Sequence, residues 1–205
     1  MKRLTLAVLV IGVLLLGACA PARISEPPIP VHFTTYTDEL GLFSISYPPE
    51  WELALSEIEF LELFTKKLLE SIESGLPLER AGAIFFAGVP TETGYMPNVN
   101  IIVESLPGAG WTHDELVEAE IRSSKHFVKD YHELSRVKTT IGGREATIVE
   151  YEGTFPKLDK KYHWLVMVTL VGKTAWVVTC TALPEKFSKW EEDFNAIVRS
   201  LRILK

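Results

Sequence analysis

The chain has 205 residues, 47% hydrophobic and 23% charged, so it can build a globular core and is neither a disordered nor a collagen-like polymer. That length fits one domain of ordinary size, or at most two small ones. A formal net charge of −6 argues against nucleic acid as the partner, because phosphate binding needs clustered Lys and Arg, and two cysteines rule out a disulfide-built scaffold.

Lys2 and Arg3 precede an apolar run, Leu4 to Leu16, broken only by Thr5 and Gly12. The run is shorter than the ~20 residues that cross a bilayer and has the size of a signal-peptide core. It ends in Leu16-Gly17-Ala18-Cys19, where small side chains leave the backbone beside Cys19 open to a peptidase. The tetrapeptide resembles the lipobox of bacterial lipoproteins, whose cysteine is acylated and becomes the first residue. Residues 1–18 are therefore expected to be a signal peptide and Cys19 the lipid attachment site, carrying palmitate-type chains. An ordinary cleaved signal peptide and an uncleaved anchor are the alternatives. Pro21, Pro27, Pro28 and Pro30 follow. Proline lacks an N–H and restricts its predecessor, so residues 19–30 read as the lipidated cysteine plus an extended tether, and 31–205 as the folded domain. The first partner is then a membrane, reached through the N-terminal lipid at the extracytoplasmic face of a bacterial cell envelope.

Strand-like runs, rich in β-branched and aromatic residues, fall at 33–37, 42–47, 83–89, 99–105, 134–141, 145–153, 162–171 and 174–182. Gly142-Gly143 and Gly172-Lys173 read as tight reversals, so the last three strands should form an antiparallel meander. Residues 162–171 are apolar on both alternations, with Trp164, Val166 and Val168 on one side and Leu165, Met167 and Val171 on the other. Such a strand belongs in the centre of a sheet covered on both faces. Three amphipathic helices can supply the cover. Ser56-x-x-Glu59 is a capping box opening one at 57–74, with Ile58, Leu61, Phe64, Leu68, Leu69 and Ile72 on one stripe. Thr112-x-x-Glu115 opens a second, expected to bury Leu116, Val117, Phe127 and Val128. Pro184 opens a third, with Phe187, Trp190, Phe194, Ile197, Val198 and Leu201 as its stripe. The expected fold is α+β, an α/β/α sandwich with a central antiparallel β-sheet covered by helices on both faces. Cys180, inside the β-prone run Trp176–Cys180, reads as a small buried hydrophobe.

The most distinctive segment is Gly41-Leu42-Phe43-Ser44-Ile45-Ser46-Tyr47-Pro48-Pro49-Glu50-Trp51. It resembles the opening of the PsbP-like superfamily, which includes the PsbP subunits of photosystem II, DcrB-type bacterial lipoproteins and a small Ran-binding protein. Asn98–Val103, Ile141–Ala146 and Phe194-x-x-Ile197-x-x-Ser200-Leu201 agree in order, so the resemblance covers roughly residues 33–203. It implies an antiparallel sheet between helices and a domain that works by docking onto larger assemblies. The helix at 57–74 is an addition to the family pattern. Pro48 and Pro49 should stop their strand and Trp51 should fold back as an apolar plug.

Motifs that would carry chemistry are missing. The chain has no Gly-x-Ser-x-Gly elbow, no Cys-x-x-Cys and no His-Glu-x-x-His. Pro107-Gly108-Ala109-Gly110 lacks the Lys and Ser/Thr of a phosphate loop and reads as a turn. His126 and Asp130, one turn apart on the second helix with His132 following, read as a solvated face rather than a metal site. No catalytic residue, metal or cofactor is expected, and the protein is not expected to be an enzyme. The loop 90–97, with Tyr95 and Met96, and nearby Trp111 are the binding candidates, grouped at one end of the sheet, because long aromatic loops often carry recognition. The expected function is that of a membrane-anchored extracytoplasmic lipoprotein whose non-catalytic domain binds or supports another envelope component, with an envelope protein or a small ligand as the expected partner. A small-ligand binding module and an enzyme with an unrecognised site are the alternatives.

Overall fold

The computed structural model describes residues 29–53, 81–89, 97–108 and 110–204. In chain order these form β1 (Thr34–Thr37), β2 (Phe43–Tyr47), β3 (Glu52–Leu53), β4 (Ala81–Gly88), β5 (Asn98–Ser105), α1 (His113–Phe127), β6 (Lys129–Ile141), β7 (Arg144–Phe155), β8 (Lys160–Val171), β9 (Thr174–Ala182), α2 (Pro184–Ser200) and β10 (Arg202–Ile203). The helix expected at 57–74 lies outside the described residues. The class is α+β.

Strands β6 to β9 form the expected meander. Ile141 pairs with Arg144 across Gly142 and Gly143, both at positive φ (57° and 76°), which a two-residue hairpin loop needs and glycine supplies without strain. Among the described residues the large sheet has seven strands in the order β3-β4-β5-β9-β8-β7-β6, every pair antiparallel. One sheet was expected, and the described residues make two: β1, β2 and β10 form a separate three-stranded sheet. Two prolines at 48 and 49 stop β2 after five residues. Its inward side chains Phe43, Ile45 and Tyr47 are all buried, so β2 lies over the large sheet instead of extending it.

Successive residues of β8 divide between two clusters. Leu165 and Met167 join Val178, Cys180, Ile101, the β2 residues Phe43 and Ile45, and Phe187, Phe194, Ile197 and Val198 of α2. Trp164, Val166 and Val168 join Val149, Tyr151, Val177 and the α1 residues Leu116, Val117 and Ile121. Trp51 is 3% exposed and meets Trp190 and Phe194 edge-on, with centroids 5.9 and 6.1 Å away, as a plug should. Cys180 is fully buried, and that burial pushes its thiol well above the ordinary value, so it packs as a hydrophobe.

Helix α1 ends earlier than its apolar stripe suggested. Val128 caps it, donating its N–H to the Ser124 carbonyl, 2.9 Å, and turning inward. Phe127 is left 39% exposed, while Val128 is 7% exposed. Asp130 is already in β6, at φ 56°, so His126 and Asp130 do not share a helix face.

Candidate binding surface

The β4–β5 connection is closed by the Val89 N–H donating to the Pro97 carbonyl, 3.1 Å. Tyr95 and Met96 lie outside the described residues. Trp111 follows the other end of β5, beyond Ser105, which pairs with Thr174 at the Gly172-Lys173 turn. Pro97 and Trp111 are therefore separated by the eight residues of β5, roughly 25 Å of strand. The flanks of the 90–97 loop and Trp111 do not come together at one end of the sheet.

Trp111 itself is held in place. Its indole N–H donates to the Pro107 carbonyl, 2.9 Å, across a turn in which Gly108 and Gly110 have positive φ. Its ring packs half-buried against the cluster beneath α1. The next residue begins the capping box: the Thr112 N–H donates to Glu115 Oε2, 2.8 Å, and the Glu115 N–H to Thr112 Oγ1, 3.2 Å.

Polar side chains gather at three places among the described residues. Beside α1, a cavity of about 180 Å³ is lined by Asp114, Val117, Glu118, Arg136, Lys138 and Thr147. Its charges bridge its own walls: Lys138 pairs with Asp114, and Arg136 with Glu118 and, through two bonds of 2.8 and 2.9 Å, with Glu133. Next to it His113 is 8% exposed, with Nε2 2.9 Å from Thr147 Oγ1 and Nδ1 buried without a partner. Burial lowers its imidazole from the usual value, favouring the neutral form, against the opposing pull of Glu145 and Asp114.

A second place is the meeting of Glu104 and Glu120. Burial raises both carboxyl groups, and the neighbouring Glu104 charge helps push Glu120 up to about 7. The third is His163, 7% exposed, whose Nε2 lies 2.8 Å from Glu150 and Nδ1 3.3 Å from Glu152. Its ring stacks on Phe187 at 3.4 Å. Ser135 donates to Glu150, 3.3 Å, and Lys161 pairs with Glu152. Sequence reading missed this group, because its members come from three strands. The Glu150-x-Glu152 spacing was the available sign, since it puts both carboxylates on one strand face.

None of these groups pairs a nucleophile with an open base. Among the described residues no three His, Cys, Asp or Glu side chains are placed to hold a metal, and no helix is long and apolar enough to cross a membrane.

The sequence matches no protein-family model and no curated protein. Its fold does match solved structures. Cyanobacterial PsbP (CyanoP) of Synechocystis superposes with a TM-score of 0.54 over 92% of this chain and 98% of its own, at 13% identity. LpqN of Mycobacterium tuberculosis, a protein involved in cell envelope biogenesis, superposes with a TM-score of 0.55 over 85% of this chain and 92% of its own, also at 13% identity. The fold is PsbP-like.

Proposed function

We propose that this chain is a lipid-anchored protein of the bacterial envelope whose PsbP-like domain works by contact with another envelope component and not by catalysis. The observation that carries this reading is that, among the described residues, the clustered charges are spent on internal partners: the ion pairs across the α1 cavity and the His163 clamp. The likeness to LpqN, a protein of envelope biogenesis, is a fold-level analogy in the same direction. The division of β8 side chains between the α1 and α2 clusters supports a layered domain with helices on both faces.

The anchor is Cys19, on the outer side of the membrane, and the contact residues are Tyr95 and Met96 of the β4–β5 connection. Trp111, at the far end of β5, belongs to the contact only if the partner spans the sheet. Metabolic labelling with a palmitate analogue tests the anchor: wild type takes up label and fractionates with membranes, while Cys19→Ser does neither. An unlabelled wild type would remove the lipid from this account.

A further inference from the structure

At the end of the sheet away from the two glycine turns, lysines gather around exposed apolar side chains. Lys129 pairs with Thr154, and Thr154 with Lys161, so two lysines flank one β7 residue on neighbouring strands. Lys160 sits opposite Phe155, and the turn between them carries Lys157 and Leu158. Leu158 is 59% exposed, and Phe127 at the end of α1 is 39% exposed. Lys129, Lys157 and Lys160 are exposed and make no ion pair among the described residues. The acidic neighbours are Asp130, Asp159 and Glu152, the last held by Lys161.

The chain carries a net charge of −6, so an anionic surface repels it on average, and the unpaired lysines make this end a place of attraction. The chain also enters from this direction. Thr34 pairs with Tyr47 and Thr37 with Ser44, while Phe43 meets Trp176 at 5.8 Å, near the Gly172 turn. β1 therefore runs toward the glycine turns, and the residues before it come from the lysine side.

We propose that this end of the domain docks on the anionic lipid headgroups of the membrane that holds the anchor. The lysines lie at headgroup level, and Leu158 and Phe127 enter the interface, the arrangement that basic–apolar surfaces use on membranes. The docking rests on the Cys19 anchor proposed above. Residues 20–30, if extended at ~3.1 Å per residue, reach about 35 Å, enough to let the domain either lie down or lift off.

The test uses the full lipidated chain, purified from membranes and placed in vesicles of phosphatidylcholine with or without phosphatidylglycerol. A fluorophore on Leu158→Cys is read against one on Lys173→Cys at the opposite end, with a headgroup-level lipid quencher. Quenching at 158 but not 173, present only with phosphatidylglycerol and released by salt, is the expected result. Lys129→Glu, Lys157→Glu and Lys160→Glu together should weaken the docked state by at least roughly a hundredfold, since each lysine near an anionic surface is worth about 1 kcal/mol. Lys157→Glu with Lys160→Glu, exposed in the turn and at the first residue of β8, serves if the triple variant unfolds. A chain that stays with the vesicles while position 158 remains unquenched overturns the docking alone. Quenching equal in both lipids also overturns it, as does release of lipid quenching by an added acidic protein at constant salt. A chain that washes off the vesicles overturns the anchor, and the docking with it.

Discussion

Gly153 sits where the end of α1 crosses β7. A Cβ there would overlap the Val128 side chain and come 2.9 Å from the Lys129 carbonyl oxygen. Backbone cannot yield as a flexible side chain does, so Gly153→Ala should cost about 1–3 kcal/mol, measured by urea unfolding. Two ionisable groups, the buried His113 and the half-buried Glu120, set opposite pH limits. His113 is depressed from its usual 6.5 by burial. The unfolded chain takes up that proton more readily, so His113 stabilises the fold above pH ~6.5 and this contribution is lost as the pH falls through the folded value. Glu120 is raised from 4.5 to about 7, so its contribution is present below the unfolded value and lost as the pH rises through about 7. Thermal melts across this range should show Glu120→Gln removing the alkaline loss and leaving the acid loss in place. An unchanged alkaline limb would mean that Glu120 keeps access to water.

At the scale of elements, β8 is the strand on which both clusters depend. Trp164 is 8% exposed, stacked on Tyr151 at 5.1 Å and tilted against Tyr162 at 5.7 Å. Trp164→Ala should therefore cost roughly 3–5 kcal/mol, seen as a lower urea midpoint with unchanged slope. This strand was legible in the sequence because its apolar residues run on both alternations. The glycine turns were legible for a similar reason, since positive φ has a residue signature. β10 was not: it is two residues long and exists only because β2 lies beside it. The end of α1 was also hidden, because an apolar stripe through Phe127 and Val128 fits a longer helix equally well. The His163 clamp and the lysine end are assembled by strand register, which no local pattern encodes. The separation of Pro97 from Trp111 likewise follows from the direction of β5 and not from any feature of either loop.

For the whole molecule, the function proposed is that of a PsbP-like domain held by an N-terminal lipid and a proline tether, which would meet its partner by contact. Among the described residues the clustered ion pairs and His163 already have partners within the chain, and the connections and sheet ends are the places proposed for meeting another molecule. Among these the β4–β5 connection is the one that combines length with Tyr95 and Met96. The most direct test of contact is photo-crosslinking in living cells from an unnatural residue at position 95 in the full, lipidated chain. The expected result is a discrete adduct with one envelope protein, lost when Met96→Ala is added while the protein's abundance and membrane fraction stay constant. Diffuse labelling that is indifferent to Met96, together with turnover of a substrate by the purified protein, would contradict the account.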